Sequence, residues 1–314
     1  MATGTGDFDR RISLHKLEVF CLVVDLGGVG RAAEHLFVAQ PVVSAHVRSL
    51  QERLGTQLMY REGQRMRLTE TGERVYAWAR DTLARMRELA REIDEIEDGS
   101  GGAVALAASM SFGSYLLPDL LSDFRRARPH ARITLHVFDP ERAVGTVENG
   151  ICDLAVVVGD GPLASRSLQA ERLGDEPVLL VKAPETELGA DPLPLAAIET
   201  LPLVLPPQGE ARRTIVDRQL TEAGVTPRNI AIELGHPEAM KRAARRGLGA
   251  AFLTRSSVAQ ELESGVLQAI ELEEDIVLSV PLVVVRESRR RPTPTQDALV
   301  AALREGLTAR LMAR

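Results

Sequence analysis

The chain has 314 residues, 45% of them hydrophobic, so it is long enough to bury a sizeable core and to form more than one domain. Its net charge of −6 gives no overall indication of a nucleic-acid partner, and it has no apolar run long enough to cross a membrane. Its two cysteines, Cys21 and Cys152, fall in different predicted domains, which excludes a disulfide scaffold and a cysteine-based metal site. The polar first residues are not typical of a signal peptide, so we expect a reduced, cytoplasmic protein.

The first predicted helix follows a polar extension. Residues 1–14 are small, polar and aperiodic, and are predicted to be disordered. A helix is predicted from His15 to Leu26, where apolar residues recur at helical spacing. Gly28–Ala33 fits G-x-G-x-x-A, the pattern of a dinucleotide-binding turn. That alternative requires a second strand ending in an acid about twenty residues later, and residues 41–54 have a helical period instead.

A helix-turn-helix is predicted from Arg31 to Leu54, with Phe37–Gln40 as the connection. Apolar residues of the second helix recur at steps of four, three and four, on one face: Val43, Val47, Leu50 and Leu54. Its opposite face carries polar side chains: Gln40, Ser44, Arg48 and Gln51. Pro41 suits the first helical turn, and Gly55 is typical just past a helix end. A solvated surface helix would have the same pattern, so the helix alone does not establish DNA binding.

The following stretch, Leu58–Thr69, alternates around a Glu-Gly turn and predicts a small hairpin. Between Gln40 and Leu68, five arginines outweigh two glutamates, which gives a local net charge of +3. A cationic hairpin can contact the DNA phosphates, and a polar helix beside it can contact base edges in the groove.

These segments together resemble the N-terminal winged helix-turn-helix of the LysR-type bacterial transcriptional regulators. The resemblance rests on motifs at ungapped spacing: Leu17-x-x-Phe20, Ala32-Ala33-x-x-Leu36, Gln40-Pro41-x-x-Ser44, Leu54-Gly55 and Leu68-Thr69-x-x-Gly72. The sequence departs from the family in places: Gly28-Val29-Gly30 replaces the usual Ser-Phe-Thr, Gln51 a usual Glu, Met59 a usual Phe, and Ala45 a long polar residue. The resemblance implies a DNA-binding domain over 15–72. Its expected DNA contacts are Arg31, Gln40, Pro41, Ser44, Ala45, Arg48, Arg61, Arg65 and Arg67.

A long helix over residues 73–98 is predicted next. Its heptad positions are filled by Val75, Ala79, Thr82, Met86, Leu89, Ile93 and Ile96. We expect residues 75–96 to form an antiparallel dimer seam, as the resemblance also implies; the alternative is an amphipathic helix packed on its own domain. Residues 99–102 are predicted to be a flexible hinge.

Residues 103–314 alternate between strands and helices, which favours parallel sheets covered by helices. Strands are predicted at 103–108, 132–138, 153–158, 177–181, 203–206, 230–234, 249–253 and 278–285. Helices are predicted at 115–128, 141–149, 211–223, 237–246, 256–263 and 295–311. This part resembles the α/β two-lobed effector domain of the same family, itself similar to type 2 periplasmic binding proteins. The implied lobes are lobe I, residues 103–174 and 279–314, and lobe II, residues 175–278.

Ligands of open α/β sheets bind beyond the carboxyl ends of strands, often at helix N-termini with free N–H donors. The candidates for effector binding are Ser109, Ser111, Asp160, Gln208, Glu210, His236 and Thr254. Hydroxyls and N–H groups suit a small organic anion, although the serines can equally cap a helix. No motif marks a catalytic or metal site, and we expect no cofactor.

We therefore predict a sequence-specific, non-enzymatic transcriptional regulator modulated by a small effector. Its expected partners are double-stranded promoter DNA, the effector, RNA polymerase and a second copy of itself, with a tetramer as a dimer of dimers. The alternative is an α/β enzyme or solute-binding module that carries a DNA-binding appendage.

Overall fold

The computed structural model describes residues 12–62, 65–97, 102–159, 165, 167–187, 192–226, 229–274 and 276–312. The chain divides into two compact units. The first contains the described residues up to 96 with 149–151, and the second contains 97–148 and the described residues from 152 onward. No helix in the described ranges is long and apolar enough to cross a membrane.

The first unit is a winged helix-turn-helix followed by a long helix. Its elements are α1 (Leu14–Asp25), α2 (Val29–Leu36), α3 (Gln40–Leu54), β1 (Met59–Glu62), β2 (Arg65–Leu68) and α4 (Glu70–Glu97). The hairpin β1–β2 is antiparallel, with Met59 opposite Leu68. The helices and the hairpin predicted from the sequence are therefore confirmed, and the helix at Leu14–Asp25 excludes the strand that a dinucleotide-binding turn needs. The predicted disordered extension, except for its last residues, and the tip of the hairpin lie outside the described residues.

Local residue chemistry accounts for the ends of these helices. The Ser13 side chain accepts a hydrogen bond from the Lys16 amide and caps α1, whereas Gly28 at the start of α2 has no side chain that can cap it. Gly55, with φ +64°, ends α3 in the left-handed conformation that glycine adopts without strain. A Cβ at Gly72 would lie 1.9 Å from the Leu58 carbonyl oxygen, so only glycine allows the hairpin to pack this closely on α4.

The predicted seam of α4 is divided between two environments. Ala79 is fully buried, and Val75 packs against the core of the first unit together with Leu83. The prediction that Ala79 belongs to a dimer seam is therefore wrong, because the core of its own unit covers it, whereas Val75 is only partly buried. The helix also carries an exposed apolar stripe, which contains Trp78, Met86, Leu89 and Ile93.

The second unit contains the remaining strands and helices. Its strands are β3 (Ala103–Ser109), β4 (Arg132–Phe138), β5 (Leu154–Val158), β6 (Leu168–Lys182), β7 (Leu203–Leu205), β8 (Ile230–Glu233), β9 (Ala250–Thr254), β10 (Gln268–Ala269) and β11 (Ser279–Glu287). Its α-helices are α5 (Leu117–Ala127), α6 (Pro140–Glu148), α7 (Ala211–Glu222), α8 (Pro237–Arg245), α9 (Arg255–Glu263) and α10 (Pro294–Met312). A π-helical segment (Phe112–Leu116) precedes α5, and a 3₁₀ helix (Leu195–Glu199) precedes β7.

The described strands of this unit form one sheet in the order β4-β3-β5-β11-β6-β9-β7-β8, with β10 beside β6. Parallel pairs occur on both sides: β3 with β4 and β5, and β7 with β8 and β9. The middle strand β11 runs antiparallel to β5 and β6, so the predicted all-parallel arrangement is wrong there. We call the β3–β5 side lobe I and the β7–β9 side lobe II.

Strand β6 connects the two lobes. It pairs with β11 as far as Pro177, and from Val178 onward it pairs with β9. The sequence predicted only its second part, because residues 168–176 include several charged side chains and a glycine. Strand β11 pairs with β5 as well as β6, so the chain returns to lobe I at its end, as predicted.

Candidate DNA-reading face and effector cleft

Helix α3 buries one face and exposes the residues expected to meet DNA. Val43 and Leu50 are fully buried in the core of the first unit, as their spacing predicts. Gln40, Pro41, Ala45 and Arg48 are exposed and Ser44 is half-buried, so these five residues occupy the outer side and the first turns of the helix.

One residue of the predicted polar stripe has a different role. The Gln51 side-chain oxygen accepts hydrogen bonds from the backbone N–H groups of Leu58, at 2.8 Å, and Met59, at 3.3 Å. Gln51 therefore joins the end of α3 to the start of the hairpin. Its assignment to the outer face is wrong, because helical spacing alone does not show that the hairpin returns to that flank.

The exposed arginines around α3 differ in their partners. Arg61 is exposed on β1 and pairs with no acidic group among the described residues. The Arg67 Nε atom lies 3.0 Å from a carboxylate oxygen of Glu62, and both side chains are exposed. Arg31 donates a hydrogen bond to the Gly27 carbonyl at 3.0 Å, across the turn before α2. Arg65 lies on β2, and its side chain is outside the described part of the structure.

Two hydroxyl groups predicted to bind an effector are buried in the second unit. Ser109 ends β3 in lobe I, and Thr254 ends β9 in lobe II. Ser109 is 5% exposed and Thr254 is fully buried, and neither hydroxyl oxygen has a hydrogen-bond partner among the described residues. A buried polar atom without a partner is costly, so both positions favour a role in binding water or a ligand. Neither serine caps the π-helical segment that follows β3. The Ser109 hydroxyl has no hydrogen-bond partner among the described residues, and the Ser111 side chain forms no capping hydrogen bond with that segment.

A residue missed in the sequence lies beside Ser111. Arg212, in the first turn of α7 in lobe II, is 7% exposed, and its guanidinium reaches the Ser111 hydroxyl of lobe I at 3.5 Å. The same guanidinium lies 3.5 Å from the Met240 sulfur. Burial lowers the pKa of Arg212, and the negative charge of Glu210 opposes that change. Arg212 therefore places a buried positive charge where lobe II contacts Ser111 of lobe I.

The neighbouring residue, Arg213, is a buried arginine whose charge is paired within the second unit. Arg213 is equally buried, at 5% exposed, but its Nε lies 2.5 Å from Asp217 and another of its nitrogens donates to the Pro206 carbonyl at 2.9 Å. Arg212 forms no such ion pair with a described residue. Two adjacent arginines thus have different environments, and only Arg212 is left to pair with a mobile anion.

The other predicted effector residues lie in varied positions. Glu210 precedes α7 and is half-buried; burial raises the pKa of its carboxyl, and Arg212 opposes the shift. Gln208 is exposed. His236 is exposed, and its Nδ1 accepts a hydrogen bond from the Glu238 amide at 3.1 Å, so it caps α8. Asp160 lies outside the described residues.

A second set of polar contacts joins the lobes. Tyr115, in the π-helical segment of lobe I, donates from its hydroxyl to Glu238 of lobe II at 3.3 Å. The Lys241 Nζ atom lies 3.0 Å from Glu238, 2.9 Å from Glu261 and 4.7 Å from the centre of the Tyr115 ring. Burial acts to lower the pKa of Lys241, but its bonds to Glu261 and Glu238 raise it overall. The charge of Lys241 is therefore already neutralised, unlike that of Arg212.

A winged helix-turn-helix and a two-lobed α/β unit with polar groups in its cleft together define a class of protein, the ligand-responsive DNA-binding regulators. The family model "Bacterial regulatory helix-turn-helix protein, lysR family" matches residues 14–73, and "LysR substrate binding domain" matches residues 97–308. The chain belongs to the LysR family of bacterial transcriptional regulators, which confirms the resemblance, the fold class and the general function.

Similar proteins agree with this assignment over most of the chain. A "Probable RuBisCO transcriptional regulator" of Nostoc sp. is 30% identical over 289 residues, covering 90% of this chain and 85% of that protein. The solved structure of full-length CbnR complexed with its target DNA has a TM-score of 0.65 and 20% identity, covering 94% of this chain and 100% of that one. ArgP from Mycobacterium tuberculosis has a TM-score of 0.63 and 20% identity, covering 93% and 96%. Both structures support the fold.

Proposed function

We propose that this regulator is a homo-oligomer that binds double-stranded promoter DNA through residues 15–72 and a small organic anion through residues 103–314. Membership of the family supplies DNA binding and an effector domain. One observation carries the anionic nature of the effector: Arg212 is buried in the cleft without an acidic partner among the described residues.

The DNA contacts are assigned by position. Base edges would meet the outer side of α3, since residues in the first turns of a recognition helix reach furthest into the major groove. The proposed base contacts are Gln40, Pro41, Ser44, Ala45 and Arg48. The proposed phosphate contacts are Arg31, Arg61, Arg65 and Arg67. The exposed pair of Arg67 with Glu62 contributes at most about 1 kcal/mol, so a phosphate can replace the glutamate.

The effector would supply a negative charge in direct contact with the Arg212 guanidinium, which forms no ion pair with a described residue. Burying a cation without a counter-charge is costly, so an anion beside Arg212 offsets that cost. The hydroxyls of Ser109, Ser111 and Thr254 are suitable donors to the same ligand. Glu210 adds a negative charge near Arg212 and would disfavour highly charged ligands, which supports a small organic acid.

Self-association is proposed through the exposed stripe of α4, from Trp78 to Ile93. Side chains of Trp78, Met86, Leu89 and Ile93 are between 40% and 56% exposed, which is unusual for large apolar groups on one helix face. A second copy packed along this stripe would remove them from water. We further propose a tetramer made from two such dimers.

We also propose that the protein acts without catalysis, in the cytoplasm, with RNA polymerase as a further partner. The family is one of transcriptional regulators, and this supports each of these proposals. No cofactor is included in the proposal.

The effector assignment is tested by thermal unfolding of the full-length protein with a panel of small mono- and dicarboxylates and phosphorylated acids. An anion present at about 100 times its Kd stabilises the folded state by roughly 2.7 kcal/mol. We expect at least one acid to raise the Tm of the wild type, with no increase for Arg212→Met or Ser111→Leu. The matched control is Arg242→Met, because Arg242 is exposed on α8. An acid that stabilises Arg212→Met as much as the wild type would contradict the assignment.

A further inference from the structure

The outer side of α3 is more apolar than the sequence pattern predicts. Pro41, Val42 and Ala45 are exposed in its first two turns, and the charged residues Arg48 and Glu52 follow only toward its end. Gln51, which would have extended the polar stripe, points to the hairpin instead. The part of the helix expected to enter the groove therefore combines Gln40 and Ser44 with an apolar surface.

Val42 is the most distinctive member of this surface. It lies in the first turn of α3 and is 43% exposed, whereas Val43 beside it is fully buried. The core of the first unit includes Val43, Val47 and Leu50 from this helix and does not include Val42. Val42 therefore contributes little to folding and presents its methyl groups where a base edge would lie.

The major groove offers one apolar group to such a side chain, the C5-methyl of thymine. Phosphates and the polar atoms of the base edges in this groove offer hydrogen bonds, which a valine cannot use, and the thymine methyl is the largest apolar group on those edges. We propose that Val42 reads a thymine methyl group in the operator and is a specificity-determining residue of this regulator. This inference rests on the proposed DNA contacts of α3 and adds to them the identity of a base.

The size of the effect follows from the area that one methyl contact buries. A buried methyl group contributes enough for a change in Kd of about fourfold. This change in Kd is smaller than the change caused by losing a bidentate hydrogen bond to a base. Val42 would therefore adjust the specificity for a DNA sequence that polar residues of α3 mainly determine.

The test uses a duplex that the full-length protein selects from a random library. Each thymine of that duplex is replaced in turn by deoxyuridine, which removes the methyl group and leaves pairing and hydrogen-bonding atoms unchanged. Kd values are measured for the wild type, for Val42→Ala and for Val277→Ala, a matched control because Val277 is 62% exposed and lies in the second unit.

We expect one thymine of each half-site at which deoxyuridine weakens binding of the wild type and of Val277→Ala about fourfold. At that thymine, Val42→Ala should bind both duplexes within about 1.5-fold, since the valine methyl groups are gone. Equal losses for the wild type and Val42→Ala at every thymine would overturn the inference and leave the proposed DNA contacts intact. If the protein selects no sequence at all, both the DNA contacts and this inference are wrong.

Discussion

The proposed DNA-reading face and the proposed effector site are built in opposite ways. The first is contiguous in sequence: Gln40 to Arg48 lie on one helix and are largely exposed. The second combines residues about a hundred positions apart, since Ser111 follows β3 in lobe I and Arg212 lies on α7 in lobe II. Arg212 is buried and Ser111 is half-buried. A surface that reads a long polymer must be exposed, whereas a site that selects a small molecule gains from excluding water.

The same contrast separates Arg212 from Arg213 within one helix. Arg213 is held by Asp217 and the Pro206 carbonyl, so its charge serves the fold. Among the described residues, Arg212 has hydrogen-bond contacts with a hydroxyl and a sulfur and feels the charge of Glu210, but it forms no ion pair, and we propose that its charge binds a ligand. Burial alone therefore does not separate a structural arginine from a candidate ligand-binding arginine; the presence or absence of an ion pair with a described residue does.

The largest expected effect concerns the exposed apolar stripe of α4. It tests whether this stripe binds a second copy of the chain. Leu89→Glu places a charge in an apolar seam, and we expect it to weaken the dimer by about 100-fold or more, since an unpaired buried charge costs several kcal/mol. Sedimentation of the wild type and the variant at micromolar concentration measures the change. The control is Arg85→Glu, an exposed position on the same helix. A wild type that sediments as a monomer would show that α4 is not a dimer seam.

The next effect distinguishes the two buried arginines by how much each contributes to the free energy of unfolding. Arg213→Met should lower the free energy of unfolding by about 2 kcal/mol, a value reduced from that of a fully buried pair because Asp217 is partly exposed. Arg212→Met should change it by less than about 1 kcal/mol, because no ion pair with a described residue is broken and an uncompensated charge is removed. Denaturant unfolding of both variants makes the comparison. Similar losses for the two would show that Arg212 is structural.

A third effect, of similar size, distinguishes base reading from phosphate binding on the first unit. Gln40→Ala should cost roughly 1–3 kcal/mol on the cognate duplex and little on random DNA, because it removes a base contact. Arg61→Ala should weaken both duplexes alike and reduce the salt slope by about one. Fluorescence anisotropy at several salt concentrations measures both. Equal losses on cognate and random DNA for Gln40→Ala would refute its assignment.

Much of the first unit could be predicted because residues close together in the sequence determine its helices. The spacing of Val43, Val47 and Leu50 defines the buried face of α3, and the fixed spacing of Gln40, Pro41 and Ser44 carries the family resemblance. The errors were Gln51 and Ala79 of the α4 seam. In both cases a contact from another element, the hairpin or the core, overrides what helical period indicates.

In the second unit, sequence patterns do not predict every strand or every buried polar residue. Most of its helices and strands follow from alternation, but the first half of β6 does not, because its charged residues lie on a strand held by pairing with β11. Ser109 and Thr254 could be found as residues that follow strands. Arg212 could not, because nothing in its own segment distinguishes it from Arg213; only the fold brings it to Ser111.

The central claim is that an anion in the cleft of the second unit changes DNA binding by the first. The most direct measurement is the operator affinity of full-length wild type and Arg212→Met, with and without an acid that raises the Tm of the wild type. A coupling of about 1–3 kcal/mol, typical of such linkage, predicts a five- to 150-fold change for the wild type. We predict no change for Arg212→Met, with affinity in the absence of the acid equal to that of the wild type. An unchanged wild-type affinity at saturating acid would contradict the account.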